Sequence, residues 1–128
     1  MADLLEQSSA WLDSQRVKHL SRLVTYQRGE DVVEVHAAIG RTVFEIDDGF
    51  GVIEKVESRD YVVPTAELVL NEQATLPERG DRIRETQDDK VYVYEVMAPG
   101  REPHFRFSDP YRRTLRIHTK HVATEEAT

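Results

Sequence analysis

The sequence predicts a mainly β protein: a small antiparallel β-barrel or sandwich of about seven or eight strands, with one N-terminal α-helix and room for one short helical turn. Three observations predict it. Short segments of alternating apolar and polar residues recur after Arg22, turn signals separate them roughly every ten residues, and sustained helical periodicity is confined to the first stretch of chain.

Asp3 is placed to cap a helix, with Glu6 at the capping-box spacing. Leu4, Leu5, Ser8, Trp11, Leu12 and Gln15 then share one face, so a helix is expected over residues 3–19 within an N-terminal amphipathic segment 1–22. Trp11 sits in the middle of that stripe, where it can pack on the chain's own sheet or on a neighbouring subunit. Val24 and Tyr26 lie on one face of a first strand, and Val33, Val35 and Ala37 on one face of a second over 32–38. The turn Gly29-Glu30-Asp31 makes the two a hairpin. Residues 39–42 read as a connection, 43–46 as a strand, Asp47-Asp48-Gly49 as a turn and 50–61 as the return strand. Four charges over 54–59 require that strand to be well exposed or at an edge. Pro64 ends it, because proline cannot donate to a central ladder. Residues 65–70 suit either one helical turn or a short strand.

The stretch 76–97 reads as a second hairpin. Pro77 and Gly80 shape its beginning, one by fixing φ and the other by tolerating positive φ. Ile83 sits between charged neighbours, Gln87-Asp88-Asp89 turns the chain, and Val91 to Val96 supply side chains to both faces of the return strand. After a loop over 98–103, Phe105 and Phe107 alternate and Ser108-Asp109-Pro110-Tyr111 forms a turn. A last strand over 114–122 is expected to point Leu115, Ile117 and Thr119 inward and Arg116, His118 and Lys120 outward. The barrel domain thus spans 23–122, and 123–128 is a small, polar, frayed tail.

At 128 residues the chain matches one domain, large enough to bury an unassisted core. It contains no cysteine, which excludes disulfides, thiolate nucleophiles and cysteine-held zinc or iron–sulfur centres. A net charge of −7 opposes charge-driven nucleic-acid binding. The charge is uneven: residues 101–120 hold Arg101, Arg106, Arg112, Arg113, Arg116 and Lys120 against Glu102 and Asp109, a basic strip suited to an acidic partner or to plain solvation. Neither a membrane-length apolar run nor a secretory signal is present, so the expected location is the cytoplasm.

The search for chemistry yields no catalytic residue, no metal site and no cofactor. His118 and His121 are three apart on an expected strand and would face opposite sides. Asp47-Asp48-Gly49 shares a fragment with calcium loops but lacks their alternating ligands and bidentate glutamate. Arg79-Gly80-Asp81 is the integrin-type tripeptide, for which the turn at Gly80 is explanation enough. No Gly-x-Ser-x-Gly, phosphate-loop or dinucleotide motif occurs. Tyr92, Tyr94, Phe105, Phe107 and Tyr111 beside the basic strip imitate a stacking platform for single-stranded nucleic acid, although their alternation fits core packing better.

The pattern Leu76-Pro-x-x-Gly80-Asp81-x-Ile83, a polar turn, then Tyr94-Glu95-Val96 resembles the bacteriophage and prophage head–tail joining proteins, also called head-completion, connector or adaptor proteins. Ser58-Arg59-Asp60-Tyr61-Val62-Val63 followed by Ala66-Glu67-Leu68 resembles the strand and helical turn that precede this hairpin there. The resemblance covers residues 43–97 and, more loosely, the strands to 122; the segment through Arg22 and the Arg-rich residues 108–116 lie outside it. It implies a non-enzymatic structural part, a virion component where the prophage is active. Such a part assembles in a ring and contacts itself, portal or connector proteins and tail proteins, with no membrane, nucleic acid or small-molecule substrate. Trp11, Arg112, Arg113 and Arg116 are the expected interface residues. The alternative is a host β-barrel binding a small ligand or single-stranded nucleic acid.

Overall fold

The computed structural model describes residues 21–47 and 49–127. The strands in these residues are β1 (Arg22–Arg28), β2 (Asp31–Asp47), β3 (Ile53–Pro64), β4 (Val69–Leu70), β5 (Gln73–Ala74), β6 (Arg82–Gln87), β7 (Lys90–Val96), β8 (Phe105–Phe107) and β9 (Thr114–Glu126), with a 3-10 turn at Thr65–Glu67. The main sheet runs β3-β2-β1-β6-β7-β9-β8, and β3 also pairs with β9. That last pairing closes six strands into an antiparallel barrel, so of the two expected architectures the barrel is the one formed. β4 and β5 make a separate two-stranded ribbon.

The expected mainly β class holds, with one correction. Among the described residues there is no α-helix, and the only helical piece is the 3-10 turn. The helix expected over residues 3–19 lies outside the described residues. Arg22, the last residue of the expected N-terminal helical segment, is strand, paired with Ala37 across β1 and β2. Residues 65–70, open between turn and strand, contain both: the 3-10 turn and then β4. The tail expected to fray from residue 123 is strand to Glu126, held by pairing of residues 123–126 with Val93 to Lys90 of β7. Among the described residues no helix is long and apolar enough to cross a membrane.

Alternation decides which side chains fill the barrel. Val24 and Tyr26 of β1, Val35 and Ala37 of β2, Tyr61 and Val63 of β3, Ile83 of β6, Val96 of β7, and Leu115 and Ile117 of β9 form one buried cluster with Leu68 and Leu70. Val93, on the opposite face of β7 from Val96, is fully buried as well, so β7 is covered on both sides as its composition suggests. The hairpin of β6 and β7 is the one expected: Gly80 takes φ 95° and Asp88 in the turn φ 56°.

The largest departure from the expected strands is β2. Instead of two strands joined by a connection over 39–42, it is one strand of 17 residues. β1 covers it only to Ala37, and β9 covers β3 only from Arg59 onward. Beyond those points β2 and β3 pair with each other alone, from Thr42 with Ser58 to Asp47 with Ile53. They form a two-stranded arm extending roughly 20 Å past the barrel at the usual rise per residue.

Candidate functional site

Among the described residues three carboxylates are buried, and each is neutralised by arginine. Asp81 and Glu85 flank Ile83 on the inward face of the β6 segment, and all three side chains are at most 4% exposed. β1 runs antiparallel alongside and carries an arginine near each end. Arg28 donates from Nε to Asp81 Oδ1 at 3.0 Å and from Nη2 to Oδ2 at 2.8 Å. The Tyr26 hydroxyl and the Glu78 amide donate to the same carboxylate. Toward the other end of the barrel, Arg59 donates to both oxygens of Glu85 at 2.8 and 2.9 Å, joined by the Tyr61 hydroxyl at 3.0 Å, Arg22 at 3.1 Å and the Gln87 amide. Arg59 also lies over the Tyr94 ring at 4.9 Å.

Asp60 lies on the opposite face of β3, at the root of the arm. It accepts from Arg116 Nε at 2.7 Å, from Ser58 Oγ at 2.6 Å and from the Thr42 hydroxyl, and His118 Nδ1 lies 2.8 Å from its Oδ1. Gly40 leaves room beside this pair: a Cβ there would lie 3.1 Å from the Arg116 guanidinium, tighter than ordinary contact. Burial alone would raise the pKa of Asp60. The hydrogen bonds from His118, Ser58, Thr42 and Arg116 outweigh it and hold the carboxyl well below the usual carboxylate range. For Glu85 burial pulls the same way, and the bonds from Arg59 and Gln87 reverse it, leaving the pKa lowered. Burial first, then the neighbouring Asp81, pushes the Tyr26 hydroxyl up; burial does the same for Tyr61.

Ser58, His118 and Asp60 therefore meet, but without the geometry of a catalytic triad. There the serine and the acid use different imidazole nitrogens. Here Ser58 Oγ, at 3.3 Å, and Asp60 both face Nδ1, and all three side chains are buried. His118 takes the expected outward side of β9, facing away from the barrel core, but it is covered there, with Phe44 packed edge-on at 5.2 Å. Among the described residues no cluster of three metal-ligating side chains occurs.

The sites marked in the sequence separate in space. Trp11 lies outside the described residues. Arg112 and Arg113 are exposed in the β8–β9 turn, where Asp109 accepts from the amides of Tyr111, Arg113 and Thr114. Arg112 lies over the Phe107 ring at 5.3 Å. Arg116 points to Asp60 and supports the arm's root. The basic strip is thereby divided: Arg106, Arg112 and Arg113 stay together around β8 and its turn, while Arg101 follows Gly100, whose Cβ position would lie 3.3 Å from Ile46 of the arm. Of the aromatic residues weighed as a stacking platform, Tyr94, Phe105 and Phe107 pack against the core.

Sequence reasoning missed the arm as a surface. Its one face, with Thr42, Phe44, Ile46 and Val56, is half-buried, and its other face is exposed. Val43 and Ile53 on the open face, and Phe50 and Val52 at the tip, are 55%, 61%, 91% and 53% exposed. The signal was present in the charged run 54–59, which marked an exposed strand without saying that its apolar neighbours share the exposure.

A family model described as phage head-tail joining protein matches residues 2–126. No curated protein matches the chain.

Proposed function

We propose, from the premise that the chain belongs to the phage head–tail joining family, that this phage structural protein works without catalysis, as a ring-forming part at the junction of portal and tail. The observation that carries the reading is the pairing of a closed barrel, its inner polar groups tied to one another, with an arm whose apolar tip stands in solvent. A side chain such as Phe50, 91% exposed, leaves most of its apolar surface in water. Four such residues together on one projecting element mark a contact surface. The buried acids are each matched by an arginine and serve to hold the barrel rigid under the arm.

Purified chain, alone and mixed with the portal ring of the same phage, tests the reading by electron microscopy and mass photometry. Rings of the chain seated on the portal are expected. A chain that stays monomeric and unbound in both samples, or gene neighbours that encode metabolic enzymes in place of portal, capsid and tail proteins, would overturn it.

A further inference from the structure

We propose that the arm of one copy docks on the β8 strand and β8–β9 turn of the next copy, a proposal that rests on the ring-forming reading above. The arm and the β8–β9 turn lie at opposite ends of one ladder, with β8 running beside it. β3 and β9 pair from Arg59 with Thr119 to Pro64 with Thr114. The arm leaves β3 beyond the Arg59 end, and the turn that carries Arg112 and Arg113 precedes Thr114 at the other end. No copy brings its own arm to its own turn, so contact between these surfaces is made between molecules. It is also heterologous, the type of contact that closes a ring when the rotation permits.

The two surfaces complement each other in three ways. In charge, residues 41–57 hold Glu45, Asp47, Asp48, Glu54 and Glu57 against Arg41 and Lys55. Around β8, Arg106, Arg112 and Arg113 are exposed, while the nearby Asp109 is engaged by backbone amides of its own turn. In backbone, β8 pairs only with β9 among the described residues. The bonds from the His118 amide to the His104 carbonyl and from the Ser108 amide to the Thr114 carbonyl set the alternation. That alternation turns the amides and carbonyls of Phe105 and Phe107 to the outer edge. The arm supplies strand edges of its own, and an open edge pairs readily with another chain. In apolar surface, a cleft of about 610 Å³ lies alongside Phe105, walled by Ala74, Leu76 and Pro77 and rimmed by Thr65, Thr75 and Glu78, whose carboxylate is paired with Arg28 at 2.9 Å; Leu76 is 46% exposed. It offers an apolar seat for a side chain such as Phe50.

The absence of cysteine makes the test direct. Val52→Cys and Ser108→Cys are made singly and together, mixed with portal, and oxidised. Mixing the two single variants is expected to give a dimer containing one chain of each. The double variant is expected to give a ladder of linked chains that ends at the ring's own number. Rings without any link between residues 52 and 108 would overturn this docking and leave the ring reading standing. Neither rings nor links would remove both. Links between two Val52→Cys chains in place of the mixed pair would show an arm-to-arm contact and also overturn it.

Discussion

At the scale of single residues the molecule rests on carboxylates that sequence inspection treats as surface charge. Asp60 and Glu85 are both held below their ordinary pKa in the folded chain. The sign follows: each binds a proton more readily when unfolded, so its contribution to stability is present at neutral pH and lost as pH falls below about 4. Thermal melts from neutral pH downward are expected to be flat at first and then to drop steeply through that range, with Asp60→Asn showing a shallower drop than the wild-type chain. A wild-type melting temperature unchanged down to pH values near 3 would contradict this. At neutral pH, Asp60→Ala leaves Arg116 and His118 facing a vacated pocket. It is expected to cost about 3 kcal/mol, as breaking a buried pair does. None of this was legible beforehand, because a strand pattern assigns Asp60 to a face and does not reveal that Arg116, 56 positions away, reaches the same face.

At the scale of elements, the sequence reading succeeded where alternation and turn chemistry agree. The β1–β2 hairpin, the β6–β7 hairpin with Gly80 and Asp88 at positive φ, and the inward set Leu115, Ile117 and Thr119 are all as expected. It failed where a residue has a reason other than turning. Gly40 reads as part of a connection, yet it continues β2 and leaves room for the Arg116 guanidinium. Ala123 to Glu126 read as a loose end because they are small and polar, yet β7 supplies them with a backbone partner. Such pairing is independent of side-chain identity. The arm is the element with the clearest separable role. Replacing residues 46–54 with a two-residue Asn-Gly turn, which suits a hairpin, keeps Glu45 opposite Lys55, removes Ile46 from beside Gly100 and otherwise deletes mostly exposed groups. The shortened chain is expected to lose no more than about 1 kcal/mol, since surface changes are usually small. It is expected to keep its cooperative melt and to form no rings on the portal. Rings of normal abundance would show that the arm is dispensable.

At the scale of the whole molecule, a net charge of −7 makes copies repel one another, so assembly has to overcome that repulsion locally. The arm and the β8–β9 turn meet that requirement by different physics, which salt can separate. Attraction between the acidic arm and Arg106, Arg112 and Arg113 acts over a Debye length, about 10 Å at 0.1 M salt and about 3 Å at 1 M. Burial of the apolar tip contributes roughly 25 cal/mol for each Å² removed from water and is not screened. Raising salt is therefore expected to slow ring formation more than it speeds ring loss, because steering acts on encounter. Phe50→Ser is expected to do the reverse. Being 91% exposed, Phe50 adds little to folding, so the variant should melt as the wild-type chain does. Its rings should form at a similar rate and fall apart at least tenfold faster, the loss of about 1.4 kcal/mol or more from each contact. Light scattering after mixing and after dilution reads the two rates. A Phe50→Ser chain that both melts and dissociates like the wild type would place the adhesive surface elsewhere than the arm's tip.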